Sequence, residues 1–168
     1  MTRKHVPDAV FVYLSTNKVY GDWPNSKSYQ EFESRYDILD FPGFSEMSLP
    51  IDFTTHSPFG VSKLAGDLYC QEYASYFGLK TGIFRCGCIT GSAHAGAELH
   101  GFLAYMARCK KEKKTYKVYG YKGKQVRDNI HAYDLAAAIH EFIKAPRAGE
   151  VYNMGGGRHS NISVLEAL

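Results

Sequence analysis

A long apolar run, a strong net charge and a signal-like segment are all missing from this sequence. No apolar stretch is long enough to cross a membrane, and residues 1–5 do not lead into the apolar segment of a signal peptide. The formal charge of +3 is too small to predict nucleic-acid binding by itself. We therefore expect a soluble, cytoplasmic protein whose partner is neither a membrane nor a nucleic acid.

Cysteine is scarce, with four residues in 168, and no two of them form a Cys-x-x-Cys pair. Cys86 and Cys88 lie two apart at the end of a predicted strand, so their side chains point to opposite faces. This spacing fits neither a zinc site nor a disulfide framework. We expect no metal site, and a reducing compartment.

What the sequence does contain is typical of one globular α/β domain. Hydrophobic residues make up 45% and charged residues 22%, and 168 residues can bury a sizeable core. The short apolar run 9–14 is rich in β-favouring residues and predicts a buried parallel strand, and residues 79–85 predict a second. The polar segment 15–21 follows the first strand, at the sheet edge where α/β proteins bind ligands.

A long helix is predicted between these two strands. Ser57 suits the N-cap, Pro58 suits the first helical position, and Gly78 suits a left-handed C-terminal cap. A strand, a helix and a strand in this order predict a right-handed parallel crossover. Apolar and aromatic residues recur at helical spacing over about five turns: Val61, Leu64, Ala65, Leu68, Tyr69, Tyr73, Tyr76 and Phe77.

The rest of the chain alternates predicted helices and strands after one long irregular segment. Residues 22–55 are rich in Pro, Ser, Asp and aromatics without clear periodicity, and a loop of this length is more often functional than accidental. The further predicted elements are helices over residues 98–111 and 133–144 and from about residue 163, and strands over residues 115–119, 125–130 and 150–154.

Two motifs in this framework resemble those of a known superfamily. Phe59 and Lys63 lie four apart on one helix face, within His-Ser-Pro-Phe-Gly-Val-Ser-Lys, and residues 15–21 read Ser-Thr-Asn-Lys-Val-Tyr-Gly. This pairing resembles the extended short-chain dehydrogenase/reductase superfamily, in particular its NAD-dependent sugar-nucleotide epimerases and dehydratases. The Thr-Asn-Lys version is most similar to the CDP-paratose 2-epimerases, also called CDP-tyvelose epimerases.

The resemblance implies NAD as the cofactor and gives roles to residues around it. Thr16 matches the catalytic Ser/Thr that orients the reacting hydroxyl beside the cofactor. Lys63 matches the lysine that holds the nicotinamide ribose and lowers the pKa of a catalytic tyrosine. Phe59 occupies the position of that tyrosine and cannot transfer a proton. Cys86, at the end of the second strand, is expected near the cofactor.

The same resemblance implies a nucleotide-linked sugar as the substrate. Asn17 and Lys18 stand where the dehydratases usually have Asp-Glu, and the missing proton donor favours epimerisation over dehydration. Arg127 matches the arginine that binds the nucleotide's diphosphate in the epimerases. Cys88 stands where an Asn or Ser often contacts the substrate.

Plainer interpretations of these residues remain open. Thr16 also fits a turn in which Ser and Thr bind their own backbone. Lys63 also fits a surface lysine that lies over apolar neighbours, and Arg127 fits a surface Arg-Asp pair of little energetic weight.

Two hypotheses about function follow. One is epimerisation of a nucleotide-linked sugar through a transient keto sugar, and the other is a non-catalytic binding or assembly protein derived from this family.

The resemblance also predicts the architecture. The expected class is α/β: the C-terminal part of a Rossmann-like doubly wound parallel sheet, followed by part of a small α/β substrate-binding region. Residues 1–90 are assigned to nucleotide binding, with the catalytic helix, and residues 91–168 to the sugar nucleotide. The sequence has no Gly-x-x-Gly-x-x-Gly after a first strand, nor the acidic residue expected about twenty positions later. Half of such a sheet exposes an apolar edge, which predicts a homo-oligomer or a longer native gene.

Overall fold

The structure, a computed structural model, describes all 168 residues. They divide into two compact units that interleave along the chain. The first unit contains residues 1–26, 44–86 and 134–154, and the second contains residues 27–43, 87–133 and 155–168. The assignment of one part of the chain to the cofactor and the other to the substrate stays a prediction.

The two units are built from five helices and eight strands. The helices are α1 (Thr2–His5), α2 (Ser57–Phe77), α3 (Phe102–Lys111), α4 (Ala132–Lys144) and α5 (Val164–Ala167). The strands are β1 (Phe11–Thr16), β2 (Gln30–Glu31), β3 (Tyr36–Asp37), β4 (Thr81–Cys86), β5 (Cys88–Thr90), β6 (Val126–His131), β7 (Glu150–Met154) and β8 (Asn161–Ser163). None of the helices is both long enough and apolar enough to traverse a membrane.

Three parallel strands form the sheet of the first unit, in the order β1–β4–β7. Phe11 pairs with Thr81 and Thr16 with Cys86, so the carboxyl ends of β1 and β4 lie side by side. Every residue of β4 is buried, as expected for a central parallel strand. β1 has a partner on one side only and is an edge of this sheet. The predicted α/β class with a parallel sheet is confirmed.

Helix α2 packs on β1 and β4 and ends at the predicted cap Gly78, but it begins at Ser57, so that His56 and not the predicted Ser57 is the N-cap residue. From the first helical position, Ser57 Oγ accepts the backbone N–H of Gly60 at 3.3 Å, and Gly78 takes a left-handed φ of 66°. The apolar stripe does not form the packed face, because Tyr69 and Tyr76 are 69% and 77% exposed. The buried residues of α2 are small or polar instead: Gly60, Asp67, Cys70 and Ala74.

Helix α4 covers the other face of the same sheet through Phe142. Its ring packs edge-on against Phe84, with the centroids 5.7 Å apart, and lies directly over Gly82. A Cβ at position 82 would stand 2.5 Å from the ring, so this approach requires glycine. Thr81 on the opposite face donates to the carbonyl of Cys70 in α2. Helices therefore cover both faces, as in a doubly wound sheet.

Gly82→Ala is expected to lower the free energy of unfolding by about 1–3 kcal/mol, because the added methyl group overpacks the Phe142 ring. Urea unfolding followed by circular dichroism measures the loss. Phe142→Leu serves as the partner variant: it removes part of the ring, so the two losses should not add. If the two losses add in the double variant, the destabilisation by Gly82→Ala does not arise from its contact with the Phe142 ring.

A separate cluster of the first unit lies beside the turn that follows β1. Val19, Tyr20 and Leu49 are buried, and Trp23 packs against them. The indole N–H of Trp23 donates to the carbonyl of Asp52 at 2.7 Å. Part of the long segment that lacks sequence periodicity is therefore held against the turn by a small core of its own.

The second unit has a mixed sheet in the order β5–β6–β8, with β5 parallel and β8 antiparallel to β6. Helix α3 begins at Phe102 rather than at the predicted residue 98, because Gly101 before it is left-handed, with φ 72°. The predicted strand over residues 115–119 is wrong, since no strand pairs with this irregular segment. Ser163 caps α5 in a reciprocal bond with Glu166, at the predicted helix start.

Candidate active site

The end of β1 places Thr16 at the start of a tight turn. Thr16 Oγ1 accepts the backbone N–H of Lys18 at 3.3 Å and so caps the 3-10 segment Asn17–Tyr20. The same hydroxyl donates to the side-chain oxygen of Asn17 over a long 3.4 Å. The turn role of Thr16 is therefore observed, and its role toward a substrate stays a prediction.

The first turns of α2 carry Phe59 and Lys63. Phe59 is 58% exposed, so its ring opens to solvent. The Lys63 ammonium lies 4.7 Å from the centroid of the Tyr13 ring, and the Tyr13 hydroxyl donates to the Lys63 carbonyl at 3.2 Å. No carboxylate forms an ion pair with Lys63. Its positive charge is therefore free to bind a ligand's hydroxyl or anionic oxygen.

The start of α2 lies against the turn after β1. A Cβ at Gly60 would stand 3.1 Å from the carbonyl oxygen of Lys18, so glycine permits this approach. Lys18 is thereby held beside the helix start. An open polar cavity of about 230 Å³ lies here, lined by Lys18, Gly21, Asp22, Thr55, His56 and Ser57.

Cys86 ends β4 next to Thr16 and is buried. Burial raises the pKa of its thiol to about 11, although the positive charge of Lys63 acts to lower that pKa. The thiol is therefore neutral near pH 7, and it makes a weak bond to the carbonyl of Phe84 at 3.5 Å. The ring contact with Tyr13 places the Lys63 ammonium beside β1, three residues before that strand ends at Thr16.

The tyrosines near α2 do not replace the phenol that Phe59 lacks. Burial raises the pKa of Tyr13, which keeps its phenol protonated near neutral pH. The Tyr20 hydroxyl is bonded on both sides within the core, accepting from an arginine and donating to an asparagine. His56 Nε2 is buried without a hydrogen-bond partner and is the one imidazole next to the helix start.

A buried ion pair beside this site involves Asp67 and Arg85, which the sequence motifs do not single out. Arg85 Nε and Nη2 donate to different oxygens of Asp67, each at 2.9 Å, and the two side chains are 5% and 0% exposed. Burial alone would lower the pKa of Arg85, but the bonds to Asp67 and Tyr20 raise it above its usual value. The feature of the sequence that could have indicated a role for Asp67 is its position, four residues after Lys63 on the same helix face.

The second unit contains the other two predicted site residues. Cys88 begins β5 and is half-buried, and Arg127 lies exposed on the neighbouring strand β6. Arg127 Nη1 donates only to the carbonyl of Val126, at 3.0 Å. Asp128 instead accepts the backbone N–H of Gly156 at 2.9 Å, so the plain Arg-Asp surface pair does not form. The Arg127 guanidinium is therefore available for an anion.

The predicted site residues thus fall into two groups. The structure brings one group together at the carboxyl ends of β1 and β4 and on the first turns of α2: Thr16, Asn17, Lys18, Phe59, Lys63 and Cys86. Cys88 and Arg127 belong to the second unit. The functional role of each residue stays a prediction.

The sequence profile of the NAD dependent epimerase/dehydratase family matches residues 1–155. The chain therefore belongs to this family, which confirms the family that its two motifs predict. It is similar to CDP-paratose 2-epimerase of Salmonella typhi, with 34% identity over 98% of this chain and 49% of that protein. It is also 30% identical to dTDP-glucose 4,6-dehydratase 1 of Escherichia coli K12, over 92% of this chain and 40% of that protein. The chain thus spans half or less of the length of these relatives.

Solved structures agree with the predicted fold. The UDP-glucuronic acid 4-epimerase from Bacillus cereus, in complex with UDP-glucuronic acid and NAD, matches with a TM-score of 0.71 at 26% identity, over 98% of this chain and 45% of that one. The dTDP-glucose 4,6-dehydratase from Bacillus anthracis, in complex with NAD, matches with a TM-score of 0.69 at 26% identity, over 92% and 42%. The Rossmann-like α/β class and NAD as the cofactor of the family are confirmed.

Proposed function

We propose that this chain forms the catalytic-helix and substrate-binding part of an NAD-dependent sugar-nucleotide epimerase, with a CDP-linked sugar as the favoured substrate. The observation that carries the proposal is the placement of Lys63. Its ammonium, paired with no carboxylate, lies on the second turn of α2 and 4.7 Å from the ring centroid of Tyr13 on β1, the strand that ends at Thr16. The similarity to CDP-paratose 2-epimerase over 98% of the chain supports the substrate class.

The residues present fit the nicotinamide end of the cofactor. Bound NAD supplies a hydride acceptor for a sugar hydroxyl. Lys63 donates hydrogen bonds to the ribose hydroxyls through an ammonium that no protein carboxylate neutralises. Thr16, at the end of β1, offers a hydroxyl that orients the reacting group. The sequence has no Gly-x-x-Gly-x-x-Gly, so none of its loops supplies the usual cradle for the dinucleotide's phosphates.

Arg127, in the second unit, is the residue proposed to bind the diphosphate of the nucleotide-linked sugar. Its guanidinium is exposed and free of any carboxylate, and its planar set of donors suits a diphosphate. Asn17 and Lys18 follow Thr16 in the turn and face the substrate in this proposal. With no glutamate in that turn to protonate a leaving hydroxyl, epimerisation is favoured over dehydration.

Phe59 limits the rate that this site can reach. General acid–base catalysis is worth about 10²- to 10⁴-fold, and a benzyl side chain supplies none of it. Binding does not depend on the phenol in the same way. A tyrosine-to-phenylalanine mutant of the Bacillus cereus epimerase is itself in complex with NAD and UDP-4-deoxy-4-fluoro-glucuronic acid. A ligand-binding protein with little or no turnover is therefore the second candidate function, favoured by the absence of a replacement phenol.

Lys63→Met is expected to weaken NAD binding about 10- to 100-fold, because it removes hydrogen bonds from a charged donor. Isothermal titration of NAD into the purified chain measures the change. Lys80→Met is the matched control, because Lys80 lies just before β4 at the opposite end of the strand and is 44% exposed. Equal losses in both variants would refute a specific role for Lys63, and no NAD binding by the parent chain at millimolar concentration would refute the proposed site.

The proposal includes a homo-oligomer and a cytoplasmic location. Exposed aromatic residues on α2, among them Tyr69 and Tyr76, lie in the same unit as the unpaired edge of β1, where Leu14 is 44% exposed. Apolar area of this kind favours association. None of the four cysteines forms a disulfide, which suits a reducing compartment. Light scattering after size exclusion is expected to give a mass of at least a dimer, and a monomer at high micromolar concentration would refute the assembly.

A further inference from the structure

The carboxylate of Asp67 is completely buried, and both of its oxygens accept hydrogen bonds. Ser15 Oγ donates to Oδ2 at 2.6 Å, and Gln71 Nε2 donates to Oδ1 at 2.8 Å. Arg85 donates to both oxygens at 2.9 Å. Four donors therefore hold one carboxylate, which explains how a charge is accommodated at 0% exposure.

Each segment that meets at Asp67 is adjacent to a residue of the proposed cofactor site. Ser15 directly precedes Thr16 on β1, and Arg85 directly precedes Cys86 on β4. Asp67 itself lies four residues after Lys63, about one turn further along α2. A single carboxylate therefore joins the two strand ends to the helix that carries the lysine.

The same network extends to the turn after β1. Arg85 Nη1 donates to the Tyr20 hydroxyl at 3.0 Å, and that hydroxyl donates to Asn153 Oδ1 at 2.7 Å. Tyr20 ends the 3-10 segment that begins with Asn17. A buried ion pair is a weak source of net stability compared with apolar residues of the same size. The geometry of its bonds is therefore the property of this pair to consider.

We infer that Asp67 is a positioning residue that fixes Lys63 and Thr16 relative to each other at the carboxyl ends of β1 and β4. The inference rests on the proposed NAD site for its functional consequence. The bidentate bonds to Arg85 fix both the rotation of α2 and its position along its axis. Lys63 has only weaker local restraints, which are the bond from the Tyr13 hydroxyl to its carbonyl and the ring contact of its ammonium.

The test uses Asp67→Asn, which keeps the shape of the side chain but removes its charge and one acceptor. In the parent chain the Tyr13 ring should shift the NMR signals of the Lys63 ε-methylene group upfield, and the variant should lose at least about half of that shift. NAD affinity should fall about tenfold or more, measured at a temperature where the variant is folded. Ser15→Ala removes one donor and retains the ion pair. It should change the Lys63 chemical shift and the NAD affinity in the same direction as Asp67→Asn, but by less.

Phe142→Leu is the control for general destabilisation, because Phe142 packs on the sheet face opposite to α2. It should lower the melting temperature and leave both the Lys63 shift and NAD affinity unchanged. An unchanged Lys63 shift in Asp67→Asn, or an equal change in Phe142→Leu, would overturn the inference. If Asp67→Asn does not fold, the same criteria apply to Ser15→Ala. A parent chain that binds no NAD would refute the proposed function, whereas the Lys63 shift would still decide the positioning role.

Discussion

Phe59→Tyr is expected to raise the epimerisation rate of the NAD-loaded protein by about 10²- to 10⁴-fold. The new hydroxyl restores a proton acceptor and donor on the helix face that also carries Lys63. Because Phe59 is 58% exposed, the hydroxyl extends into solvent and does not displace a packed neighbour. The measurement is conversion of a CDP-linked sugar, followed by chromatographic separation of the epimers.

The charge of Lys63 gives this prediction a second readout. An ammonium next to a phenol favours the phenolate, so the restored tyrosine should act as a base near neutral pH and the rate should fall as pH drops below its lowered pKa. Phe59→Leu is the control, and it should leave the rate at its starting value. The double variant Phe59→Tyr, Lys63→Met should lose most of the gain. An NAD-bound Phe59→Tyr variant with no rise in rate would favour the non-catalytic function.

Arg85→Met is expected to lower the free energy of unfolding by about 3–5 kcal/mol, the typical cost of leaving one partner of a buried ion pair uncompensated. The reason is that the Asp67 carboxylate, at 0% exposure, loses two of its four donors and gains no water. Urea unfolding followed by circular dichroism gives the value.

A matched double variant separates the ion pair from simple packing. Asp67→Leu together with Arg85→Met removes both charges, and it should recover at least about half of the loss seen in Arg85→Met alone. The remaining loss is assigned to Ser15, Gln71 and Tyr20, which each lose a hydrogen-bond partner. If Arg85→Met lowers the free energy of unfolding by less than about 1 kcal/mol, water reaches the Asp67 carboxylate and the ion pair is not fully buried in solution.

Local signals in the sequence were sufficient to predict most elements of the first unit. The end of α2 follows from Gly78 and its start was predicted to within one residue of the N-cap His56, because caps depend on the residues next to them and not on distant packing. β1 and β4 follow as strands from short apolar runs, although β1 is an edge strand with Phe11 and Leu14 39% and 44% exposed and not the buried strand that was predicted. The position of Lys63 on α2 follows from the helical spacing. These features are set by neighbouring residues, which a single sequence displays.

Other features depend on partners that are distant in the sequence. The alternation over residues 115–119 is typical of a strand, but no strand lies beside this segment to pair with it. The aromatic stripe of α2 shows the helical period without showing which side meets the sheet. Asp67 is buried because Arg85 lies 18 residues further along on β4. Such pairings are created by the tertiary fold, so helical or strand periodicity alone does not predict them.

The small core around Trp23 gives the molecule a built-in optical probe. This is the only tryptophan in the chain, and its indole bond to Asp52 holds the segment before α2 against the turn that follows β1. Its emission therefore reports whether this segment is docked, while far-ultraviolet circular dichroism reports the helices. A red shift that precedes the loss of helix on adding urea would mean that the segment opens before α2 and the sheet unfold. Coincident transitions would mean that the strand-end turn, the segment and the helix melt as one cooperative unit.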